Sequence, residues 1–565
     1  MLLIFISWFY IFITSINLGF CTNKIVGIKN QNFVITSFLG ILSTTLFASI
    51  WAIFGRINIE FHSVLLILNL IIFFKFRSEI KLIYNSFYQE FKNLNATLKF
   101  FIAAITTLII AQCSSIPYVI DNESYYIQTI KWLNEYGFVK GLGNLHIFYA
   151  QTSGWHIAQS AFNFSFLYKN FNDLSGFCLL LGNIFAIFKL NEYFSTTNKN
   201  YLIIGLLPLA NVFFFQFISA PSPDIPIYIL TFIIFFYFIE NFKNTTIENF
   251  NLITLLVLFA LFIKVTSVAL LILPIILLIT NFKLFAPKLL PISIFGLLFL
   301  SLFIIKNSLL TGYPLFPFTR LELDSNHLIP RNVISFFFSE QMRYNYFISE
   351  SDLNQLSFSQ IAIKWLLSSK INAIFNALTI LIIAISPFFV SKYFNKKSVW
   401  IIYFVVIFQL LILLFTSPQY RFFIHLTLFF SFFIFACWFA NKKLIFASYY
   451  LSIGLIAVVL FFPVSYKSLT QNKLIGKNSR FSATNILYPH SNSKWKTAFE
   501  SVQKGNLKFN SPTNNYFFWG SGNGNLPSVN KVQIEYFENY YQVLPQQTTT
   551  DLKDGFYAKK LSSNE

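Results

Sequence analysis

The chain has 565 residues, of which 55% are hydrophobic and 11% are charged, and its formal net charge at neutral pH is +19. A soluble domain carries about a quarter charged residues, so this composition excludes a soluble globular protein. The positive charge does not indicate nucleic-acid binding, because the lysines cluster in short loops between apolar segments, where membrane topology places them.

Apolar stretches of about 20 residues recur along the chain, and a helix of this length crosses a hydrocarbon core about 30 Å thick. They predict an all-α polytopic membrane protein with about 14 transmembrane helices, within a range of about 12–14. The first span lacks a basic n-region and a small-residue cleavage site, so we interpret it as a retained anchor. The predicted spans are residues 2–21, 33–55, 61–76, 99–118, 173–190, 201–219, 225–241, 251–263, 266–281, 289–306, 371–391, 399–416, 422–440 and 444–463.

The sequence predicts three parts. Residues 1–98 form N-terminal transmembrane helices, and residues 99–463 form a transmembrane core with two long loops at 119–172 and 307–370. Residues 464–565 are rich in Asn, Ser, Lys and Gly, which is typical of a small soluble tail.

Basic residues occupy alternate short loops between the predicted spans. The intervening short loops, 219–224 and 417–421, carry a single basic residue, Arg421. The positive-inside rule then places the basic loops in the cytoplasm, and the N-terminus, both long loops and the C-terminal tail outside it. We therefore expect a protein of the cell inner (plasma) membrane with its polar clusters on the extracytoplasmic face. The basic loops contain Lys24, Lys29, Lys75, Arg77, Lys81, Lys92, Lys189, Lys199, Lys243, Lys283, Lys288, Lys392, Lys396, Lys397, Lys442 and Lys443.

Lys264 interrupts the apolar run 251–281. A single helix over this run would be about 46 Å long at 1.5 Å per residue, which is too long for one crossing without strong tilt. We therefore predict two short helices with Lys264 at the break between them, near the outer half of the membrane. A charge within a span is a candidate functional residue, and the structural alternative is a lysine that extends to the interface.

The first long loop holds the densest polar chemistry of the chain, beginning with the stretch DNESYYIQTIKWLNEYG. Tyr126, Ile130 and Leu133 recur at helical spacing, which predicts an amphipathic helix along the membrane surface. Asp121 would then stand at the N-terminus of this helix, where a carboxylate can cap backbone N–H groups. Alternatively Asp121, helped by Glu123, acts as a general base or holds a divalent metal, since a carboxylate partly withdrawn from water accepts a proton more readily.

This layout resembles the GT-C superfamily of multipass glycosyltransferases, which take a sugar from a polyprenyl-phosphate carrier on the non-cytoplasmic face. Their acidic motif lies in the first long outer loop, and the matching residues here are Asp121, Glu123 and either Tyr125 or Tyr126. The commoner motif has two adjacent acids, whereas here Asn122 separates them, so either acid can be the matching one. The resemblance implies that Asp121 or Glu123 is catalytic.

A second resemblance lies further along the same loop. The sequence GLGNLHIFYAQTSGW is similar to an uncharacterised family of bacterial multipass membrane proteins with a Gly-Leu-x-Asn-Leu-His loop. Its histidine, His146, is a candidate substrate-binding residue. His146 and His156 lack metal-ligand spacing, so we predict no zinc site; the cofactor remains open, with a divalent metal as one candidate.

Other charged residues on the predicted outer face suit a phosphate-bearing substrate. Arg320 follows the turn GYPLFPFT at the start of the second long loop, and a guanidinium binds phosphate oxygens in a bidentate manner. Lys264 and Arg421 are further candidate phosphate ligands, and Asp224 in the turn SAPSPDIP is a candidate substrate-binding residue. Each also has a structural interpretation, as a turn residue or a helix end.

We expect a glycosyltransferase that moves a sugar from a polyprenyl-phosphate donor to a glycan, lipid or protein acceptor on the extracytoplasmic face. Its other partner is the lipid bilayer, and we expect no nucleic-acid partner. One alternative is a polysaccharide polymerase or ligase, which would depend on arginine and histidine in the second long loop. The other is a transporter, which would show charges within spans and paired broken helices. An essential acid in the first long loop favours the transferase. The second long loop carries Arg320, His327, Arg331 and Arg343.

Overall fold

The computed structural model describes residues 1–29, 32–169, 171–368, 370–394, 396–438, 440–462, 464–465, 468, 481–514 and 517–561. In this part of the chain, 11 helices are long and apolar enough to cross a membrane, and two bent helix pairs would raise the number to 13. The protein is therefore a helical multipass membrane protein, as predicted. The predicted number of about 14 spans stays a prediction.

The first five helices cover the N-terminal part and the start of the core. Asp173, at the end of the first long loop, accepts a hydrogen bond from the Trp8 indole at 3.3 Å through its carbonyl. The chain therefore starts at the same end of the bundle as that loop. The helices are α1 (Leu2–Val26), α2 (Phe33–Phe54), α3 (Ile59–Lys75), α4 (Arg77–Lys92) and α5 (Ala96–Cys113).

Helix α4 was not predicted, since its charges suggested a basic loop. It bends by 90° from α3 and buries Ile80 and Ile83 while its lysines face outward. This spacing of apolar residues is that of an amphipathic helix lying against a larger body.

The first long loop folds into three short helices packed over the end of the bundle. They are α6 (Ile127–Glu135), α7 (Leu142–Leu145) and α8 (Gly154–Ala161), and a π-helical turn, Asn122–Tyr126, precedes α6. The helix is present, but the prediction that it lies along the membrane surface is wrong. Tyr126, Ile130 and Leu133 are all buried, and so are the polar Gln128 and Thr129. Protein, and not lipid or water, covers α6 on nearly every side.

The middle of the chain builds the core around the predicted break at Lys264. Helix α13 ends at Ile263, and Lys264 is extended before a 3-10 turn begins at Val265. This confirms two separate helices. The helices are α9 (Leu174–Thr196), α10 (Lys199–Gly205), α11 (Asn211–Phe214), α12 (Asp224–Asn241), α13 (Ile247–Ile263), α14 (Ile272–Thr280), α15 (Phe282–Phe285) and α16 (Leu290–Thr311).

The second long loop and the last four apolar helices complete the bundle. Helices α17 to α19 lie in the loop, and α20 to α23 are candidate spans. They are α17 (Arg331–Tyr346), α18 (Glu350–Gln355), α19 (Phe358–Leu366), α20 (Ile371–Phe389), α21 (Lys397–Thr416), α22 (Tyr420–Trp438) and α23 (Lys442–Phe461).

The C-terminal tail contains the strands that an all-α prediction omits. Two antiparallel hairpins flank one helix, and the tail lies against the first long loop: the Phe556 N–H donates to the Lys140 carbonyl at 2.9 Å. Short hairpins gain stability from such packing. The elements are β1 (Phe499–Lys504), β2 (Leu507–Pro512), α24 (Lys531–Tyr541), β3 (Val543–Gln547) and β4 (Phe556–Lys560).

Candidate active site

A cavity of about 940 Å³ lies where the loops and the tail meet at one end of the bundle. Its wall combines the first long loop, the turn before α12, the break after α13, the ends of α16 and α22, and the tail. Val212, Val265, Leu455 and Val459 line the cavity and are among the exposed hydrophobic side chains. Part of the cavity border is therefore apolar and exposed.

Asp121 and Arg421 form an ion pair on the cavity wall. The Arg421 Nη1 donates to Asp121 Oδ2 at 2.6 Å, and 17% of each side chain is exposed. The Tyr126 hydroxyl donates to the same carboxylate oxygen at 3.4 Å, and Arg421 Nε donates to Gln419 Oε1 at 2.7 Å. The carboxylate and the guanidinium are thus held in place by neighbours on both sides.

Asp121 does not cap the helix that follows it. Its side chain makes no hydrogen bond to the first backbone N–H groups of the π-helical turn. The capping interpretation is therefore wrong, because the carboxylate is directed to Arg421 instead.

Asp224 and Lys264 form a second ion pair on the same wall, with Lys264 Nζ 2.5 Å from Asp224 Oδ1. Asp224 is the first residue of α12, where the partial positive charge of the helix N-terminus favours a carboxylate. Lys264 reaches it because α13 stops one residue earlier. Gly154 allows the close packing here, since a Cβ on it would lie 2.5 Å from the Phe262 ring.

The two ion pairs belong to one charged cluster. The Lys264 ammonium lies 3.4 Å from the centre of the Phe422 ring, and the Arg421 guanidinium lies 4.8 Å from the same centre. Arg421 also interacts electrostatically with Asp224 as well as with Asp121. Two carboxylates and two cations, contributed by four distant parts of the chain, therefore meet around one aromatic ring.

Glu123 faces away from this cluster and holds the tail. Its carboxylate accepts hydrogen bonds from the Ser493 hydroxyl and the Lys494 N–H, both at 2.7 Å. Its carbonyl accepts from the N–H groups of Ser521 and Gly522. Burial raises the pKa of Glu123, and these hydrogen bonds partly offset the rise.

The remaining candidate residues lie outside the cavity wall. His146 is fully buried, donates through Nε2 to the Trp519 carbonyl at 3.2 Å and accepts at Nδ1 from the Phe148 N–H. Burial lowers the pKa of His146 to about 4, so this ring is neutral. Arg320 is exposed, and its guanidinium lies 6.0 Å from the Phe318 ring.

The structure adds cavity residues that the sequence did not indicate. Lys306, in the last turns of α16, is one; Phe517, Phe518 and Trp519 in the tail are others. In the sequence, Lys306 stands at the end of an apolar stretch, and we interpreted it as the boundary of that span. Within the described residues, no group of three or more His, Cys, Asp or Glu side chains is placed to hold a metal ion.

The model of one protein family, described as a domain of unknown function (DUF8201), matches residues 1–428 of the chain. The matched segment contains every charged residue of the cavity wall and ends before the C-terminal tail. No curated protein and no solved structure matches the chain.

Proposed function

The chain belongs to this family of unknown function, and we propose from its cavity that it is a membrane glycosyltransferase of the GT-C type. It transfers a sugar from a polyprenyl-phosphate donor to a hydroxyl-bearing glycan, lipid or protein acceptor. The reaction takes place on the extracytoplasmic face of the inner (plasma) membrane, where nucleotide sugars are absent and the sugar must arrive on a lipid.

The observation that carries this proposal is the meeting of a carboxylate and cations in a cavity with an exposed apolar border, which we assign to the surface that faces lipid. Asp121, Arg421 and Lys264 lie on one wall, and exposed apolar residues border the same space. A lipid-linked phosphosugar needs this combination, since its chain stays in the bilayer while its headgroup enters a polar site. A donor that diffuses through water has no need of the apolar border.

In the proposed reaction Asp121 is the general base. It takes the proton from the acceptor hydroxyl as the acceptor oxygen forms a bond to the anomeric carbon of the donor sugar. The bond between that carbon and the phosphate oxygen breaks, and the carrier leaves as polyprenyl phosphate. Arg421 and Lys264 stabilise the negative charge on the leaving phosphate. Because Arg421 holds Asp121 in this structure, binding of the phosphate to Arg421 also releases the base.

A direct test measures transfer by the purified protein in proteoliposomes. The donor is a radiolabelled sugar on polyprenyl phosphate, and the readouts are loss of the labelled donor and appearance of a labelled acceptor. We expect transfer by the native protein and none by Asp121→Asn. Comparison of lipid-linked glycans in cells with and without the gene identifies the sugar and acceptor. If the native protein consumes no lipid-linked sugar and the lipid-linked glycans do not change, the proposal is wrong.

The polymerase or ligase alternative receives less support from the geometry. Two of its candidate residues in the second long loop are engaged elsewhere: Arg331 pairs with Glu322 at 2.9 Å, and His327 Nδ1 donates to the Phe556 carbonyl at 3.0 Å. Neither residue lines the cavity that contains Asp121. An enzyme that lost activity on replacement of Arg331 and kept it on replacement of Asp121 would favour the alternative.

A further inference from the structure

Lys306 differs from the other charged residues of the cavity in having no opposite charge beside it. Only 6% of the residue is exposed, and its Nζ donates to the Thr152 carbonyl at 2.5 Å. The carboxylates of the cavity wall, Asp121 and Asp224, are paired with other cations. No ion pair of Lys306 occurs among the residues that the structure describes.

When Lys306 is protonated, the wall of the cavity therefore carries one positive charge that no carboxylate of the wall balances. The wall has three basic and two acidic side chains within the described residues. His156, beside Lys306, adds no charge, because burial and then the Lys306 charge lower the pKa of His156 to about 3. The charged side chains of the wall are Asp121, Asp224, Lys264, Lys306 and Arg421.

The position of Lys306 leaves it free to bind a ligand. An ammonium has three N–H donors, and the Thr152 carbonyl takes one of them. The Phe303 ring, 5.5 Å from the ammonium, offers only a weak cation–π contact. A buried cation without a counter-charge is unfavourable, and an anion that enters the cavity removes this cost. Arg421 and Lys264, in contrast, already have a carboxylate partner, so an anion that binds them gains less than one that binds Lys306.

We propose that Lys306 is the residue that first binds the phosphate group of the substrate, ahead of Arg421 and Lys264. This inference rests on the proposed function for the identity of the phosphate as that of a polyprenyl carrier. The chemistry of the site itself requires only a phosphate group, either on a lipid or free in solution. Lys306 is thus a substrate-binding residue that fixes the donor before Asp121 is released.

The test measures binding to the purified full chain in detergent, so it does not depend on catalysis. The probes are a polyprenyl monophosphate, the matching polyprenyl alcohol and inorganic phosphate. The variant is Lys306→Gln; Lys288→Gln, an exposed lysine just before α16, is the matched control for charge, and Lys264→Gln is the comparison within the cavity. Thermal unfolding of each variant without ligand reports whether it is folded.

We expect Lys306→Gln to weaken binding of the polyprenyl monophosphate by about tenfold or more, the effect of one charge-assisted hydrogen bond. Lys264→Gln should weaken it less and Lys288→Gln not at all, while the alcohol binds equally to all. Equal phosphate binding by the native protein and a folded Lys306→Gln variant overturns the inference and leaves the transferase proposal standing. If Lys306→Gln does not fold, Lys306→Arg, which moves the position of the cation, replaces it. Binding of the polyprenyl monophosphate by folded Lys306→Arg that equals binding by the native protein overturns the inference.

Two further outcomes separate the inference from the proposed function. Lys306-dependent binding of inorganic phosphate without any preference for the polyprenyl form supports the anion site and counts against the lipid donor. Failure of the native protein to bind either phosphate overturns the inference, whatever the transfer assay shows.

Discussion

Asp121 and Glu123 lie two residues apart and have different surroundings. Residues at positions i and i+2 of a helical turn point in different directions. Asp121 therefore faces Arg421 on the cavity wall, whereas Glu123 faces the tail and holds Ser493. The sequence indicated that one of two acids matters but could not assign them, since the assignment depends on the tail, which is more than 350 positions away.

We expect Asp121→Asn and Glu123→Gln to have separable effects. Loss of a general base typically lowers the rate by about 10²–10⁴-fold, so Asp121→Asn should be nearly inactive at normal abundance. Glu123→Gln should keep activity within about tenfold of the native protein, since it removes one hydrogen bond acceptor from the tail contact. Transfer rates per folded protein provide the measurement. Near-native rates for Asp121→Asn would remove its assigned role.

The Asp121–Arg421 pair also makes a prediction about stability. Arg421→Gln leaves a largely buried carboxylate without its partner, which typically costs about 3 kcal/mol of unfolding free energy. The double variant Asp121→Asn/Arg421→Gln removes the unpaired charge and should regain part of this loss. Thermal unfolding in detergent of the native protein, both single variants and the double variant gives the coupling energy. A double variant as unstable as the sum of the single variants would show that the pair is not coupled.

The sequence did not predict that Lys306 lies inside a helix and reaches the cavity. The predicted span ended at Lys306, whereas α16 continues for five further residues to Thr311 and then turns at Gly312. Hydropathy detects where an apolar run stops, but a helix continues as long as its backbone hydrogen bonds are satisfied. The lysine therefore lies inside the helix, and its long side chain reaches the cavity.

Among the elements, the tail has the most direct effect on the site. Its loop WGSGNGN turns the chain and also binds the first long loop. The Gln128 side chain donates to the Gly522 and Gly524 carbonyls, both at 2.9 Å, and Lys131 donates to the Asn523 carbonyl at 3.1 Å. These contacts hold Phe517 and the residues after it on the cavity wall.

Gly522 offers a test of this element. Its φ of 60° favours glycine, and a β-branched residue at such a position costs about 1–3 kcal/mol. We expect Gly522→Val to loosen the tail, which limited proteolysis between β1 and α24 would detect, and to lower the transfer rate. Gly27→Val has the same backbone strain at a φ of 73°, with open space around it, and serves as the control. Equal proteolysis of both variants would show that the loop does not hold the tail.

Helix periodicity accounts for which elements were predicted and which were missed. The apolar helices were found because a span needs about 20 apolar residues, and this requirement is local. Helix α4 was missed because Arg77 and Lys81 interrupt its apolar residues, although Ile80, Ile83 and Phe87 have amphipathic spacing. The strands of the tail are short, and they depend on contact with the first long loop, which local patterns do not contain.

At the scale of the whole molecule, the structure brings the two long loops, the break at Lys264 and the tail to one end of the bundle. From the alternation of basic loops, the sequence predicted that these segments lie on the same side of the membrane. It did not predict their contacts, because Asp121 and Arg421 are separated by 300 positions and pair only after many helices have packed.

The orientation of the protein in the membrane can be tested with reporter fusions. The positive-inside rule places the cavity and the C-terminus outside the cytoplasm. A reporter active only in the cytoplasm should therefore be silent when fused to the C-terminus, and active when inserted after Asn93, between α4 and α5. An active C-terminal fusion would place the cavity on the cytoplasmic side, where lipid-linked sugars are not the required donors, and would contradict the proposed function.

The contact between strand β4 and Lys140 has a consequence for the synthesis of the protein. The ribosome makes the first long loop hundreds of codons before the strand that packs on it, and the tail residues Phe517, Phe518 and Trp519 join the cavity wall equally late. Phe556 and Lys553 bind carbonyls of the loop only after all the intervening helices and the preceding part of the tail have been made. Loss of the chain from β4 onward would therefore yield a protein that keeps every charged residue of the cavity wall and lacks the strand that packs on the first long loop.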